Sequence, residues 1–245
     1  MNKSQQQRRT LGLIGARGGS KGLKNKNLLD FGGKALIAWT IESALAAKTI
    51  DDVVVSTDSE SIREIAIAAG ARAPFLRPAE LADDTSDIND AILHALDWLR
   101  DNENSQYDFV VLLQPTQPLR SADLIDAACT SYFEAYFQDD DQHATLVTVT
   151  RAEPKAAYLM RPTSHSKAYI EFVAPRNTIS SNRQAMPQYY WPAGALYLAP
   201  VAVFRAQRSF YGERTRFFEV DQRSATDIDT AADFEYALSL IGYQR

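Results

Sequence analysis

Cysteine is nearly absent from this chain: Cys129 stands alone among 245 residues. One thiol closes no internal disulfide, so the sequence reads as one suited to a reducing, cytoplasmic compartment. Cys129 falls inside an apolar-periodic segment, which reads as buried packing rather than as a nucleophile. Histidine is scarce as well. His94, His143 and His165 are scattered, which excludes zinc-ligand spacing and leaves no visible Ser-His-Asp set. Positive charge is not in excess: 26 Lys and Arg face 31 Asp and Glu, a net charge of −5. A nucleic-acid binder needs the opposite balance, so no nucleic-acid partner is expected. No apolar run approaches the roughly 18 residues of a membrane span, so no membrane partner is expected either. Residues 1–9 are Gln-rich and polar, lack the apolar run of a secretory leader, and read as a flexible tail.

What is present is ordinary in bulk and specific in pattern. Hydrophobic residues make up 45% and charged residues 23%, as in a soluble globular protein that needs no metal or disulfide staple. Strands are expected at residues 11–14, 53–55, 109–113, 145–149, 195–198 and 217–220. Helices are expected at 35–47, 60–69, 88–99, 123–137 and 230–241, where apolar residues recur at helical spacing. The run Phe109 to Leu113 is continuously apolar, as in a strand covered on both faces. Alternating strands and helices predict an α/β fold with a doubly wound, mostly parallel sheet. Residues 10–245 then form one such domain. Residues 153–192, rich in Pro and aromatics without a clean helix, form an arm or insertion with short strands. Asp139-Asp140-Asp141 reads as a solvated helix end.

Ligands in such sheets sit beyond the carboxyl ends of the strands. Polar clusters follow the expected strands there. The first runs from Ala16 through Arg17, Gly18, Gly19, Ser20, Lys21 and Gly22 to Lys24, Lys26 and Asn27. Its glycines allow close backbone approach, consecutive amides can form an anion-binding concavity, and the Arg and three Lys add positive charge. Neither a Walker A loop nor a dinucleotide G-x-G-x-x-G fits the spacing. A solvated basic turn is the alternative. Gln114 to Arg120 follows the buried strand; Gln114 can both donate and accept there, or the segment is a rigid connector stiffened by two prolines. In Asp227-Ile228-Asp229 the alternate residues of an extended chain point the same way, which suits a shared Mg²⁺. The same acids could instead cap the last helix, where Thr230 and Asp233 match a capping box. Asp83 to Asp87 reads as a helix N-cap. A phosphate cradle with a possible Mg²⁺ pair suits phosphoryl or nucleotidyl transfer, in which the protein positions reactants and neutralises charge.

These segments together resemble the CMP-sialic acid synthetases, the acylneuraminate cytidylyltransferases. The resemblance lies in Ala16 to Gly22 with Lys26-Asn27, Val55-Ser56-Thr57-Asp58, Arg77 to Ala82 with Asp84-Thr85-Ser86, Leu113 to Arg120, and Asp227-Ile228-Asp229. It covers roughly residues 11–241, with the segments in the family's order. It implies a nucleotide-diphospho-sugar transferase-like fold with a dimerisation arm, and hence a homodimer. It implies that CTP and an acidic nine-carbon sugar give CMP-sugar and pyrophosphate, with Mg²⁺ as cofactor. Arg17, Lys21 and Asp229 would be catalytic. Arg17, Gly18, Ser20, Lys21, Lys26, Asn27, Ser86 and Gln114 would hold the nucleotide. Gln114, Arg183 and Gly194 would meet the sugar, and Asp227 and Asp229 would bind the metal.

Three departures accompany the resemblance. Ala193 stands where the family carries Asn before Gly-Ala, so a side-chain hydrogen bond is lost near the sugar end. Gly15 stands where Pro is frequent, and residues 139–142 are extra polar surface. A pseudaminate, legionaminate or Kdo-type cytidylyltransferase, or a nucleotide-binding module without catalysis, are the alternatives; the paired Asp227 and Asp229 speak against the last.

Overall fold

The computed structural model describes residues 8–19, 22–138, 142–153, 156, 159–163, 166–173, 182 and 186–242, without the side chains of 162–163 and 166–172. In chain order its strands are β1 (Thr10–Gly15), β2 (Asp52–Ser56), β3 (Phe109–Leu112), β4 (Thr145–Arg151), β5 (Met160–Thr163), β6 (Ser166–Phe172), β7 (Tyr190–Pro200) and β8 (Thr215–Glu219). Its α-helices are α1 (Leu36–Ala46), α2 (Glu60–Ala68), α3 (Ile88–Glu103), α4 (Ala122–Gln138), α5 (Val201–Gln207) and α6 (Ala231–Leu240). Six strands form one sheet in the order β2-β1-β3-β7-β4-β8. β1 pairs parallel with β2 and β3, and β4 pairs parallel with β8. β7 runs antiparallel to both its neighbours, β3 and β4.

Alternation along the strands sends side chains to two apolar layers. Ile14, Val55 and Val111 pack with Ile37, Ile41, Ile62 and Cys129 from α1, α2 and α4. Leu13, Val54 and Leu112 pack with Ile92, Leu96 and Phe204 from α3 and α5 on the opposite face. A sheet covered on both faces explains why β3 reads as an unbroken apolar run. A third, smaller cluster joins Phe31 and Leu36 to Ile228, Phe234 and Leu238.

Local chemistry sets the helix ends. Ser59 caps α2 by accepting from the Ile62 amide, and Gly70, at φ +95°, follows its last turn as expected of a C′ glycine. Asp87 caps α3 through the Asn89 amide. The expected boundaries hold to within a few residues. α5 was not expected, because seven residues behind Pro200 carry too short a periodic signal. β7 begins at Tyr190, inside the segment expected as an arm; its outer end is exposed and carries Pro192, so it lacks the apolar run that marks the rest of the strand. Strands β5 and β6 form a separate two-stranded sheet within that segment. Asp139, Asp140 and Asp141 lie outside the described residues.

Cys129 is fully buried, and burial pushes its thiol up to about 12. Native protein is therefore expected to react negligibly with a thiol-specific reagent at pH 8, and fully once unfolded. Stoichiometric reaction of native protein would contradict the packing.

Candidate active site

The carboxyl ends of β1 and β3 open onto a cavity of about 680 Å³, within the range of small-molecule sites. Each wall is tied down by contacts that the local sequence makes possible. Beyond β1, the Ala16 amide donates to Ser56 O at 3.0 Å, and the Gly18 amide to Asp58 Oδ1 at 2.8 Å. The loop is thereby fixed to the end of β2. It returns past Gly22, where an added Cβ would lie 2.3 Å from the Asp229 carbonyl oxygen. Only glycine permits that approach.

Lys26 is almost buried. Its Nζ donates to Ile228 O at 2.6 Å and to Asp229 Oδ1 at 2.9 Å. Asn27 Nδ2 donates to Arg17 O at 3.2 Å, and Asn27 Oδ1, also buried, has no partner among the described residues. Arg17 donates to Asp83 O at 2.9 Å and lies 3.3 Å from Asp84.

The acidic wall rests on Ile228. Its side chain is fully buried with Phe31 and Phe234, its amide donates to Thr116 O at 2.9 Å, and its carbonyl accepts from Lys26. With the middle residue held inward, Asp227 and Asp229 both face the cavity, as alternation along an extended chain requires. Capping of α6 falls instead to Thr230 and Asp233, which form the reciprocal box, so neither Asp227 nor Asp229 serves as its side-chain cap. Asp227 keeps access to solvent through the cavity mouth. Partial desolvation and, to a smaller extent, the neighbouring Asp229 hold its carboxyl above the usual range, opposed by Thr116 and Lys26. A hard cation would relieve that excess negative charge. Among the described residues no cluster of three or more His, Cys, Asp or Glu could hold a metal. Two protein carboxylates, with further oxygens from a ligand and water, are the donor set that Mg²⁺ accepts. The residues present therefore fit that ion.

The opposite wall carries Arg77, Asp83, Asp84, Ser86 and Ile88. Hydrogen bonds from Ser86 and Thr85 hold the Asp83 carboxyl down at about 2, so this turn is charged and self-organised. Ser86 Oγ lies 2.8 Å from both Glu80 O and Asp83 Oδ1, so the hydroxyl organises the turn. Arg77 is buried, with Nε donating to Ser56 Oγ at 3.0 Å and Nη2 to Ser56 O at 2.6 Å. Burial moves its guanidinium below the usual arginine range, with Asp58 opposing. The family resemblance includes Arg77 in one of its segments without assigning it a role, since a lone Arg in a Pro-bearing loop has no spacing signal of its own; in the structure it lines the cavity.

The third wall, Gln114 to Thr116, follows β3. The β3–β7 ladder runs as far as the pair Leu112 and Tyr197. Past that point two side chains serve β7. Arg120 Nη1 donates to Ala195 O at 2.6 Å, and Gln117 Nε2 donates to Ala193 O. Arg120, fully buried, also donates to Thr40 Oγ1 at 2.8 Å and to Gln114 O at 3.2 Å. Gly194 adopts φ +68° beside Gln114 and Gln117.

The structure thus brings Arg17, Lys26, Asn27, Ser86, Gln114, Asp227 and Asp229 to one cavity. Gly18 stands beside it with its amide taken by Asp58. Gly194 touches the Gln114 side chain rather than being among the lining residues. Ser20, Lys21 and Arg183 lie outside the described residues.

A family model described as cytidylyltransferase matches residues 11–244. A pseudaminic acid cytidylyltransferase of Campylobacter jejuni is 31% identical over 229 residues, covering 94% of each chain. An N-acylneuraminate cytidylyltransferase of Escherichia coli O18:K1:H7 is 35% identical over 230 residues, 94% of this chain but 51% of that protein. The solved structure of a CMP:2-keto-3-deoxy-manno-octonic acid synthetase complexed with CTP superposes with a TM-score of 0.70 at 18% identity, covering 96% of this chain and 98% of the other. That likeness establishes the fold. The chain belongs to the cytidylyltransferase family, in the group that includes the CMP-sialic acid synthetases, and is a nucleotidyltransferase.

Proposed function

We propose that this enzyme transfers the cytidylyl group of CTP to the anomeric hydroxyl of a nonulosonic acid, giving a CMP-sugar and pyrophosphate. The observation that carries this reading is the single cavity joining Arg17 and Lys26 to the Asp227 and Asp229 pair. The substrates named for the pseudaminic acid and N-acylneuraminate relatives support it. Arg17 and Lys26, with Lys21, hold the triphosphate; Arg can grip it bidentately, while Lys acts as a point charge. Asn27, Ser86 and Arg77 border the nucleotide, and Gln114, Gly194 and Arg183 serve the sugar. Asp227 and Asp229 hold Mg²⁺, which when bound neutralises charge on the phosphates. Lys26 keeps Asp229 oriented at 2.9 Å. Rigid walls of this kind contribute mainly by positioning, worth about 7–11 kcal/mol in favourable cases. The segment 153–192 serves as a dimerisation arm, and the active species is a cytoplasmic homodimer. Exposed Leu159, Met160 and Val173 on this segment suit such a contact.

The test is pyrophosphate release from CTP and Mg²⁺ across nine-carbon acidic sugars, with an eight-carbon keto-acid for comparison. Turnover is expected with a nine-carbon acid. Tight CTP binding with no turnover on any sugar would favour a binding module instead.

A further inference from the structure

Gln117 lies outside the residues that line the cavity, yet three observations tie it to one that does. The residue is 2% exposed, its Nε2 is committed to Ala193 O, and its Oε1 has no partner among the described residues. A buried unpaired acceptor is costly, and native structures retain few of them. Gly194, held at φ +68°, leaves no room between the two glutamines. A Cβ there would lie 2.6 Å from Gln117 Nε2 and 2.8 Å from Gln114 Oε1. The two carboxamides therefore converge on one glycine, and Gln114 is the one that lines the cavity. Elsewhere along this edge Arg120 provides the clamp between loop and β7, through Ala195 O and Gln114 O. Without Gln117, the Ala193–Gly194 step would lose its own tie to the loop.

We propose that Gln117 is a positioning residue for sugar selectivity: it holds the Ala193–Gly194 step of β7 against Gln114 and so fixes the Gln114 carboxamide. This rests on the reading that Gln114 meets the sugar. A carboxamide donates and accepts at once, so it suits the hydroxyl and acylamido groups of an acidic sugar. A site built to pair such groups rejects analogues that leave it unpaired. Small displacements of Gln114 therefore change which sugar is preferred before they change how CTP is held.

The experiment compares the unaltered protein with Gln117→Met, which keeps the volume and drops the hydrogen bond. Gln117→Leu, which likewise cannot donate and adds no buried charge, takes its place if the Met variant does not fold. The sugar KM is expected to rise about tenfold, the order of one lost buried hydrogen bond. The order of preference among acidic sugars should change, while CTP affinity without sugar stays within about twofold. In a Gln114→Ala background, Gln117→Met should add little further loss, since residues acting through one group are non-additive. Equal losses for CTP and sugar, unaltered sugar parameters, or additive losses in the double variant would overturn the proposal. If the unaltered protein turned over no acidic sugar, the functional reading would fall, and this inference with it. Turnover with an unresponsive Gln117 would overturn the inference alone.

Discussion

Asp229→Ala is expected to lower the rate of pyrophosphate release by at least about 10²-fold, the scale of losing one preorganised electrostatic group, without loss of the fold. Its side chain is 72% exposed, so truncation opens no cavity in the core. The N-terminus of α6 keeps its box between Thr230 and Asp233, and Ile228 keeps its backbone bonds to Thr116 and Lys26. What disappears is the carboxylate paired with Lys26 and placed beside Asp227. The two effects separate in one pair of measurements, initial rate and thermal melting. Activity close to that of the unaltered enzyme would remove Asp229 from the metal and phosphate site.

The second large effect concerns stability. Arg120 is fully buried, and burial moves its guanidinium down to about 9, which leaves it charged at neutral pH. It donates to Ala195 O, Thr40 Oγ1 and Gln114 O, so one side chain joins β7, α1 and the loop after β3. Arg120→Ala would orphan these acceptors and leave a cavity, at an expected cost of about 3–5 kcal/mol. Arg120→Lys keeps the charge, but a point charge on a flexible stem cannot span the same acceptors. An intermediate loss is expected for it. Denaturant titration measures both. A loss under about 1 kcal/mol for Arg120→Ala would mean that the acceptors find other partners, and that the clamp is not structural.

Much of this was legible in the sequence for physical reasons. The unbroken apolar run at Phe109 to Leu113 reports a strand covered on both faces, and the structure places helices on both sides of it. Asp227-Ile228-Asp229 was legible as a pair because alternation separates a buried Ile from two outward acids. Spacing alone left open whether the acids cap α6; Thr230 and Asp233 decide that in the structure. The direction of β7 was not legible, since a buried strand shows the same pattern whether it runs parallel or antiparallel. Arg77 and Arg120 were not legible as a cavity wall and a clamp, because their partners Ser56 and Ala195 are 21 and 75 residues away. Glycine content suggested an anion cradle after β1. Two of its glycines do other work: the Gly18 amide is held by Asp58, and Gly22 makes room for Asp229.

The central claim is that this cavity moves the α-phosphate of CTP onto an acidic sugar. Tracing that phosphorus tests it most directly. With CTP radiolabelled at the α-phosphate, Mg²⁺ and a nonulosonic acid, label should pass into a sugar-linked CMP. With label at the γ-phosphate, it should leave as pyrophosphate. Both transfers should require the sugar. Label released as free CMP, or γ-label released as inorganic phosphate, would contradict the account.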